Sequence, residues 1–366
     1  MISSLPGLLS QPSCGMKRVL VGVLSAATVA GVAIADPKPA TQNLKPDSIS
    51  ILASPINGFD RADRSKTAFG KLEWRGGLVL TSPLAAFGGW SGLVVDTDGK
   101  TFVAVSDAGA WMTGTLDYSK GQLSGLSATK LGPLTAIGGK SLNRGRYRDA
   151  EAVAVASGTL ANGALLISFE QKNRIGRFRI GKDGLTPPTE YMKMPPEMIK
   201  RRGTDGIEAV TVLRGGPLAG ATLAMAEAVK TKTGNRAGWI WQGKEPKPFA
   251  MTDIGDFNVT DVAGLPDGDL LVLERRFRWT EGVKLRLRRV AAAEVKPGAI
   301  VSGDVLMAAD LGQEIDNMEG LGVHTNAAGE TIVTMISDDN FNRFLQRTVL
   351  LQFAITGDKR ERTAQP

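Results

Sequence analysis

Acidic residues recur along this chain at a fixed spacing that could bring carboxylates together. Glu319 opens a short apolar stretch, and Asp338 ends the next apolar stretch, 19 positions later. The same spacing of 19 separates Glu151 from Glu170 and Glu208 from Glu227. In an antiparallel hairpin, the start of the first strand and the end of the second lie at the same edge. We therefore expect each pair of carboxylates to meet at one edge of a hairpin.

Crowded carboxylates raise one another's pKa unless a cation neutralises the group. Ca²⁺ is one suitable cation, because it binds several carboxylate and carbonyl oxygens. The candidate metal ligands are Asp107, Glu151, Glu170, Glu208, Glu227, Glu319 and Asp338. Three of them, Glu151, Glu208 and Glu319, open apolar stretches and are also the candidate catalytic acids. Glu274 and Asp339 are expected at the same edge.

Arginine is the other group that could neutralise these acids, because its guanidinium forms paired hydrogen bonds with carboxylate and phosphate oxygens. Four arginines lie within a few positions of the acids and are the candidate substrate-binding residues: Arg148, Arg174, Arg275 and Arg343. The alternative hypothesis is that arginines and acids pair inside the fold as repeated structural contacts. Both hypotheses remain open from the sequence.

Several common catalytic sites have no counterpart in the sequence. His324 is the only histidine and Cys14 the only cysteine, which excludes the usual zinc sites once the N-terminus is removed. There is no Gly-x-Ser-x-Gly nucleophile elbow and no Gly-x-x-x-x-Gly-Lys-Ser/Thr phosphate loop. Any catalysis would depend on carboxylates, arginine and a hard cation.

The acids belong to a repeat, and the repeat predicts the fold that positions them. Five apolar stretches open at Ser91, Glu151, Glu208, Ala263 and Glu319, which lie 60, 57, 55 and 56 residues apart. Each is followed by a glycine-containing turn and a second apolar stretch. A repeat of this length matches a four-stranded sheet, so we predict an all-β propeller of five or six four-stranded blades. A strand near residues 74–81 should pair with the last strand and close the ring; a two-layer β-sandwich is the alternative.

The N-terminus has the pattern of an export signal. The positive start at residues 16–18, the apolar run over 19–32 and the Ala33-Ile34-Ala35 site predict cleavage after residue 35. A membrane anchor is the alternative, although the run is short for a membrane span. The boundaries are then 1–35 for the signal peptide, 36–48 for an exposed linker, 49–358 for the propeller and 359–366 for a C-terminal tail. The mature protein is expected to be periplasmic or secreted, with no membrane span.

The charge of the chain indicates a small anionic partner. The chain has 44 basic and 37 acidic residues and a net charge of +7. Cleavage removes two positive charges and no negative ones, which leaves 7 − 2 = +5. Because basic and acidic residues alternate along the sequence, we expect no nucleic-acid partner. We expect a monomer.

Short motifs follow one another in a fixed order along the chain. They are Trp90-Ser91-Gly92-Leu93, Val105-Ser106-Asp107-Ala108-Gly109, Asp149-Ala150-Glu151-Ala152, Asp205-Gly206-Ile207-Glu208-Ala209, Asp316-Asn317-Met318-Glu319-Gly320 and Ile336-Ser337-Asp338-Asp339-Asn340. Over roughly residues 70–356, this series resembles a bacterial phytase-like family whose description is "esterase-like activity of phytase". The resemblance implies a secreted β-propeller that hydrolyses a phosphoester or an ester.

Two classes of function are consistent with these observations. The first is a phytase-like or esterase-like hydrolase that uses a metal, with Ca²⁺ as the candidate, at an acidic channel mouth. A lactonase-like propeller with one central metal is a variant of this class. The second is a periplasmic propeller without catalysis, which binds a ligand or serves as a scaffold.

Overall fold

Strands make up nearly all the regular structure, because short aliphatic runs alternate with glycine-containing turns along the chain. The computed structural model describes residues 38–201, 203 and 205–357. The predicted signal peptide (1–35) and C-terminal tail (359–366) lie outside the described residues. The helices in the described part of the chain are two 3-10 turns, Thr41–Asn43 and Ile137–Gly139, and the α-helices α1 (Gly145–Arg148) and α2 (Pro196–Lys200). None of them is long and apolar enough to cross a membrane.

The strands are numbered in chain order. Up to residue 191 they are β1 (Asp47–Ser48), β2 (Leu52–Pro55), β3 (Ala68–Phe69), β4 (Leu72–Thr81), β5 (Trp90–Val95), β6 (Thr101–Ser106), β7 (Ala110–Ser119), β8 (Gln122–Pro133), β9 (Ala150–Ser157), β10 (Ala164–Phe169), β11 (Arg174–Phe178), β12 (Ile180–Gly181), β13 (Gly184–Leu185) and β14 (Glu190–Tyr191). After residue 191 they are β15 (Ile207–Val212), β16 (Thr222–Lys230), β17 (Arg236–Trp241), β18 (Pro246–Met251), β19 (Asn258–Gly264), β20 (Leu270–Arg278), β21 (Gly282–Val290), β22 (Ile300–Val301), β23 (Asp304–Ala309), β24 (Asn317–Thr325), β25 (Thr331–Asp338) and β26 (Thr348–Ile355).

Five sheets each form one blade; the remaining sheet is the two-stranded hairpin β12-β13, and β3 pairs with β4 at the side of the fifth blade. The strand orders of the blades are β1-β8-β7-β6-β5, β14-β11-β10-β9, β15-β16-β17-β18-β22, β19-β20-β21-β23 and β2-β4-β26-β25-β24. The first strands of the blades contact one another in the sequence β5, β9, β15, β19, β24, and β24 contacts β5. The predicted all-β propeller is confirmed, and it has five blades. In the fifth blade, β4 pairs antiparallel with β26, with Leu80 opposite Thr348.

Small residues let the first strands approach one another near the channel. A side chain at Gly92 would come within 2.7 Å of the Cα atom of Ala152, and one at Gly320 within 2.9 Å of the backbone of Gly92. In the fourth blade the equivalent position is Asp261, whose buried carboxylate accepts a hydrogen bond of 2.8 Å from the backbone N–H of Leu321. The small residue after the acid in the sequence motifs is thus explained by the close approach of neighbouring blades.

Every first strand contains a β-bulge at the same level. Between β24 and β25, Met318 faces Ser337 and Gly320 faces Ile336, so Glu319 is the extra residue. Bulges at the same level involve Ser91, Glu151, Glu208 and Thr260. A bulge leaves one residue outside the regular pairing and turns its side chain away from the alternating pattern. The repeated bulge therefore directs five equivalent side chains toward one end of the channel.

The fourth blade departs from the expected alignment. Its bulge residue is Thr260, three positions before the predicted Ala263, and the residue equivalent to Asp338 is Arg275 rather than Glu274. A shift of one residue moves a strand side chain to the opposite face of its sheet. Glu274 accordingly lies inside the blade, where its carboxylate is 2.7 Å from Arg286 and 3.2 Å from Arg288. The prediction that Glu274 lies with the other acids is wrong.

The part of the predicted linker that the structure describes lies against the first blade. β1 pairs with β8, and the buried side chain of Thr41 donates a hydrogen bond to the carbonyl of Ala108. Most of the other residues in 38–48 are exposed. This segment is therefore exposed along much of its length but anchored at two points.

The buried cluster of Glu274, Arg286 and Arg288 provides a test of the register. Replacing Glu274 by Ala leaves two buried guanidinium groups without their carboxylate, and we expect a loss of about 3–5 kcal/mol in the free energy of unfolding. The matched control is Glu245→Ala, which removes an exposed pair with Lys193 and should change stability by about 1 kcal/mol or less. Urea denaturation measures both. Equal effects in the two variants would contradict the buried position of Glu274.

Candidate active site

Among the described residues, nine carboxylates converge at the end of the channel marked by the bulges, and we call this group the acidic mouth. Its members are Asp107, Asp149, Glu151, Glu170, Glu208, Glu227, Glu319, Asp338 and Asp339. The bulges of the first strands supply three of them, and the ends of the second strands supply five. All seven acids proposed as metal ligands from the sequence are in the mouth, and so is Asp339, which was expected at the same edge. Asp149 was not predicted.

Two overlapping groups of three acids could each hold a cation. Asp149, Glu151 and Glu170 form the first triad, and Glu170, Glu208 and Glu227 form the second. Within each triad, one carboxylate oxygen of each residue lies within 4.8 Å of the others. Hard divalent cations take oxygen ligands of this kind, so the donor set fits Ca²⁺. Glu170 belongs to both triads and links the second and third blades.

The fourth blade contributes a cation to the mouth instead of an acid. The guanidinium of Arg275 lies 3.6 Å from a carboxylate oxygen of Glu227 and 3.7 Å from one of Glu319. Glu227 also accepts a hydrogen bond of 3.0 Å from the side chain of Asn258. Of the four arginines proposed to bind substrate, Arg275 is the one that the structure places against mouth carboxylates.

The other three predicted arginines have their hydrogen bonds elsewhere. Arg148 donates to the carbonyl of Pro39 and to the side chain of Gln42 in the N-terminal segment. Arg174 lies over the ring of Phe169, 3.8 Å from its centre, and donates to the backbone carbonyls of Tyr147 and Lys172. Arg343 donates to three backbone carbonyls, those of Ser82, Leu84 and Phe87. The hydrogen bonds of these three arginines thus go to backbone carbonyls and to the Gln42 side chain rather than to mouth carboxylates.

A lysine from the N-terminal segment lies at the other side of the mouth. The Nζ atom of Lys38 is 2.9 Å from Asp107 and 2.5 Å from Asp149, while 41% of its side chain is exposed. Burial opposes its charge, but Asp107, Asp149 and Glu151 outweigh this and raise the pKa of Lys38. Sequence reasoning missed Lys38 because it lies 111 positions before Asp149 and outside every repeat. Asp149 did carry a signal, since Asp205 and Asp316 also precede the glutamate of their motifs.

Burial raises the pKa of six acids in the mouth, and repulsion between neighbouring carboxylates adds to the effect. The pKa of Asp107 rises to about 6, even though Lys38 opposes the change. Burial raises the pKa of Glu170 to about 7, and that of Glu319 to about 7 against the charge of Arg275. For Glu151, Glu208 and Asp338 the pKa lies well above the ordinary range, first through burial and then through neighbouring carboxylates. Without a bound cation, several of these groups hold a proton near neutral pH.

Two glycines leave room for the carboxylates. A side chain at Gly89, whose φ is +64°, would come within 2.2 Å of the Oδ1 atom of Asp107. One at Gly206 would come within 2.2 Å of Glu170, whose carboxylate accepts a hydrogen bond of 3.0 Å from the Gly206 N–H. These glycines lie opposite the acids at the ends of the second strands. Asp107 therefore lies against the backbone just before β5 of its own blade, and Glu170 lies against the backbone just before β15 of the next blade.

Aliphatic side chains of the first strands fill the channel below the mouth. The lining includes Val94, Val153, Val212, Val262 and Val323, and the remaining cavity is about 20 Å³. That volume is close to the minimum for one water molecule. A substrate would thus enter and leave the mouth from the same side.

The sequence comparisons identify one family. A family model with the description phytase-like, esterase-like activity of phytase, matches residues 85–341. This range contains all nine acids of the mouth and Arg275, while Lys38 lies before it. No curated protein matches the chain.

The raised pKa of Glu319 predicts a pH-dependent stability in metal-free protein. Its folded value of about 7 exceeds the ordinary 4.5, so the unfolded chain ionises first and stability falls as the pH rises from about 4.5 to 7. Glu319→Gln removes this loss and should stabilise the protein at pH 8, in EDTA, by on the order of 3 kcal/mol. At pH 4 the variant should match the wild type. Denaturation at both pH values, with Glu245→Gln as the exposed control, tests this; no gain at pH 8 would contradict it.

Proposed function

Because the chain belongs to the phytase-like family, we propose that its acidic mouth hydrolyses a small phosphoester with the help of a hard divalent cation, Ca²⁺. The observation that carries this proposal is the charge of the mouth. Nine carboxylates face two cationic side chains, Lys38 and Arg275, among the described residues. If all are ionised, the surplus is 9 − 2 = 7 negative charges, which would repel an anionic substrate. A bound cation would reverse this repulsion.

One of the two triads of carboxylates would hold the cation. When bound, Ca²⁺ would supply charge neutralisation on the phosphate oxygens and would polarise a water molecule. Asp107 supports a further positive charge in the mouth, because its buried Oδ1 atom has no hydrogen-bond partner. The donor set consists of carboxylates, which are typical Ca²⁺ ligands.

The chain's own residues would position the substrate and move protons. Arg275 lies between Glu227 and Glu319, where its guanidinium could bind two phosphate oxygens. Hydrolysis requires one group to take a proton from water and one to protonate the departing alcohol oxygen. Glu319, with a pKa of about 7, can do either at neutral pH. Glu151 and Glu208 are the other candidates for these two roles.

Turnover of p-nitrophenyl phosphate tests the proposed activity. Purified protein should release p-nitrophenol with Ca²⁺ and lose this activity in EDTA. Glu319→Gln should lower the rate by about 100-fold or more, the usual range for loss of a general acid or base. Glu245→Gln, at an exposed ion pair distant in sequence, should keep the wild-type rate.

The same assay separates the alternatives. Activity on p-nitrophenyl acetate without activity on the phosphate ester would favour the esterase variant of the proposal. Ca²⁺ binding without turnover of either ester would favour the non-catalytic ligand-binding propeller. If neither binding nor turnover occurs, the metal-assisted function is wrong.

We also propose that the protein is exported, as the pattern of residues 16–35 predicts. The mature chain should then begin at or near Asp36, two residues before Lys38. Mass spectrometry of the protein purified from a bacterial periplasm measures its N-terminus. An intact 16–35 segment on that material would contradict cleavage.

A further inference from the structure

The N-terminal segment is fixed where it can place a side chain in the acidic mouth. The carbonyl of Pro39 accepts a hydrogen bond of 2.9 Å from Arg148, and the side chain of Gln42 accepts one of 3.1 Å from the same guanidinium. Thr41 is fully buried and donates to the carbonyl of Ala108. Lys38 is thus held next to an anchored stretch rather than on a free end. Anchoring of this kind raises the effective concentration of its ammonium group in the mouth.

The ammonium of Lys38 occupies the side of the mouth that contains the first triad. It lies 2.5 Å from one carboxylate oxygen of Asp149, and the other oxygen of Asp149 accepts a hydrogen bond from Gln171. A Ca²⁺ ion binds carboxylate oxygens at about 2.3–2.6 Å. An ion held by the same Asp149 oxygen would lie close to the ammonium, and the two positive charges would repel. Lys38 and a cation in the first triad therefore exclude each other.

The second triad has a more distant cation. In the part of the chain that the structure describes, no lysine or arginine side chain forms an ion pair with Glu170 or Glu208. The guanidinium of Arg275 lies 3.6 Å from Glu227 and is shared with Glu319, whereas the ammonium of Lys38 lies 2.5 Å from Asp149. The second triad is consequently less neutralised than the first.

We propose that Lys38 acts as a built-in cation, which binds Asp149 in place of Ca²⁺ and directs Ca²⁺ to the second triad of Glu170, Glu208 and Glu227. This inference rests on the proposed function, since it specifies where the cation of that function binds. Lys38 is on this account a residue that sets metal number and position and does not itself carry out the reaction. A neutral side chain at position 38 would open a second cation site that shares Glu170 with the first.

Calorimetric titration of the EDTA-treated mature chain with CaCl₂ measures the number of bound ions. The wild type should bind one Ca²⁺ per chain, and Lys38→Met should bind two, since methionine keeps most of the side-chain length without the charge. Lys38→Arg keeps the charge and should bind one. In the Lys38→Met background, Asp149→Asn should return the number to one.

The outcomes separate this inference from the proposed function. One Ca²⁺ in both the wild type and Lys38→Met would overturn the role of Lys38 and leave the metal-assisted function standing. No binding in any variant would overturn both. Should Lys38→Met fail to fold, Asp149→Asn in the wild type decides: an unchanged single Ca²⁺ supports binding in the second triad, and loss of that ion overturns it. Glu208→Gln should remove the wild-type ion without removing the fold, which a thermal melt in EDTA measures.

Discussion

Repulsion between buried carboxylates is the constraint on which the rest of this structure depends. Within each of the two triads, the carboxylate oxygens lie within 4.8 Å of one another. Burial removes the water that would otherwise screen their charges. A fold gains no stability from such an arrangement, as the raised pKa values of Glu170 and Glu319 indicate. Groups that lower the stability of a fold in this way are typical of functional sites. The acidic mouth therefore lowers the stability of the fold, which is the pattern expected of a functional site.

The propeller brings the carboxylates together because it repeats the same bulged hairpin around one axis. Each first strand carries a bulge at the same level, and each second strand ends beside it. Strict repetition would produce a ring of like charges. The fourth blade breaks the repetition, since Thr260 and Arg275 take the places of two acids. Glu227 and Glu319, from the neighbouring blades, thereby share the guanidinium of Arg275. This guanidinium is a positive group in the mouth that could orient an anionic ligand.

The same residue types serve the scaffold elsewhere in the molecule. Glu274 is a glutamate like Glu319, but its carboxylate is enclosed by Arg286 and Arg288 inside its blade. Arg174 and Arg343 bind backbone carbonyls. The hypothesis of structural pairing between acids and arginines therefore holds for Glu274, whereas the mouth acids are candidates for a functional site. What separates the two roles is whether a carboxylate has a complete set of partners: Glu274 has one, whereas the structure places neither lysine nor arginine in ion-pair contact with Glu208 among the described residues.

The repeat, the all-β propeller and most of the acidic mouth could be predicted from the sequence alone. These features are local, because a spacing of 19 residues spans one hairpin and brings Glu319 and Asp338 to the same edge without reference to the rest of the chain. Three features were decided by the tertiary structure. The register of the fourth blade depends on a one-residue shift, which exchanges the faces of Glu274 and Arg275 and leaves the hydrophobic pattern almost unchanged. The hydrogen-bond partners of the arginines depend on which backbone carbonyls the folded loops place near them. Lys38 reaches Asp149 across 111 positions, and contacts over such a distance are set by the packing of the whole ring rather than by any pattern in the sequence.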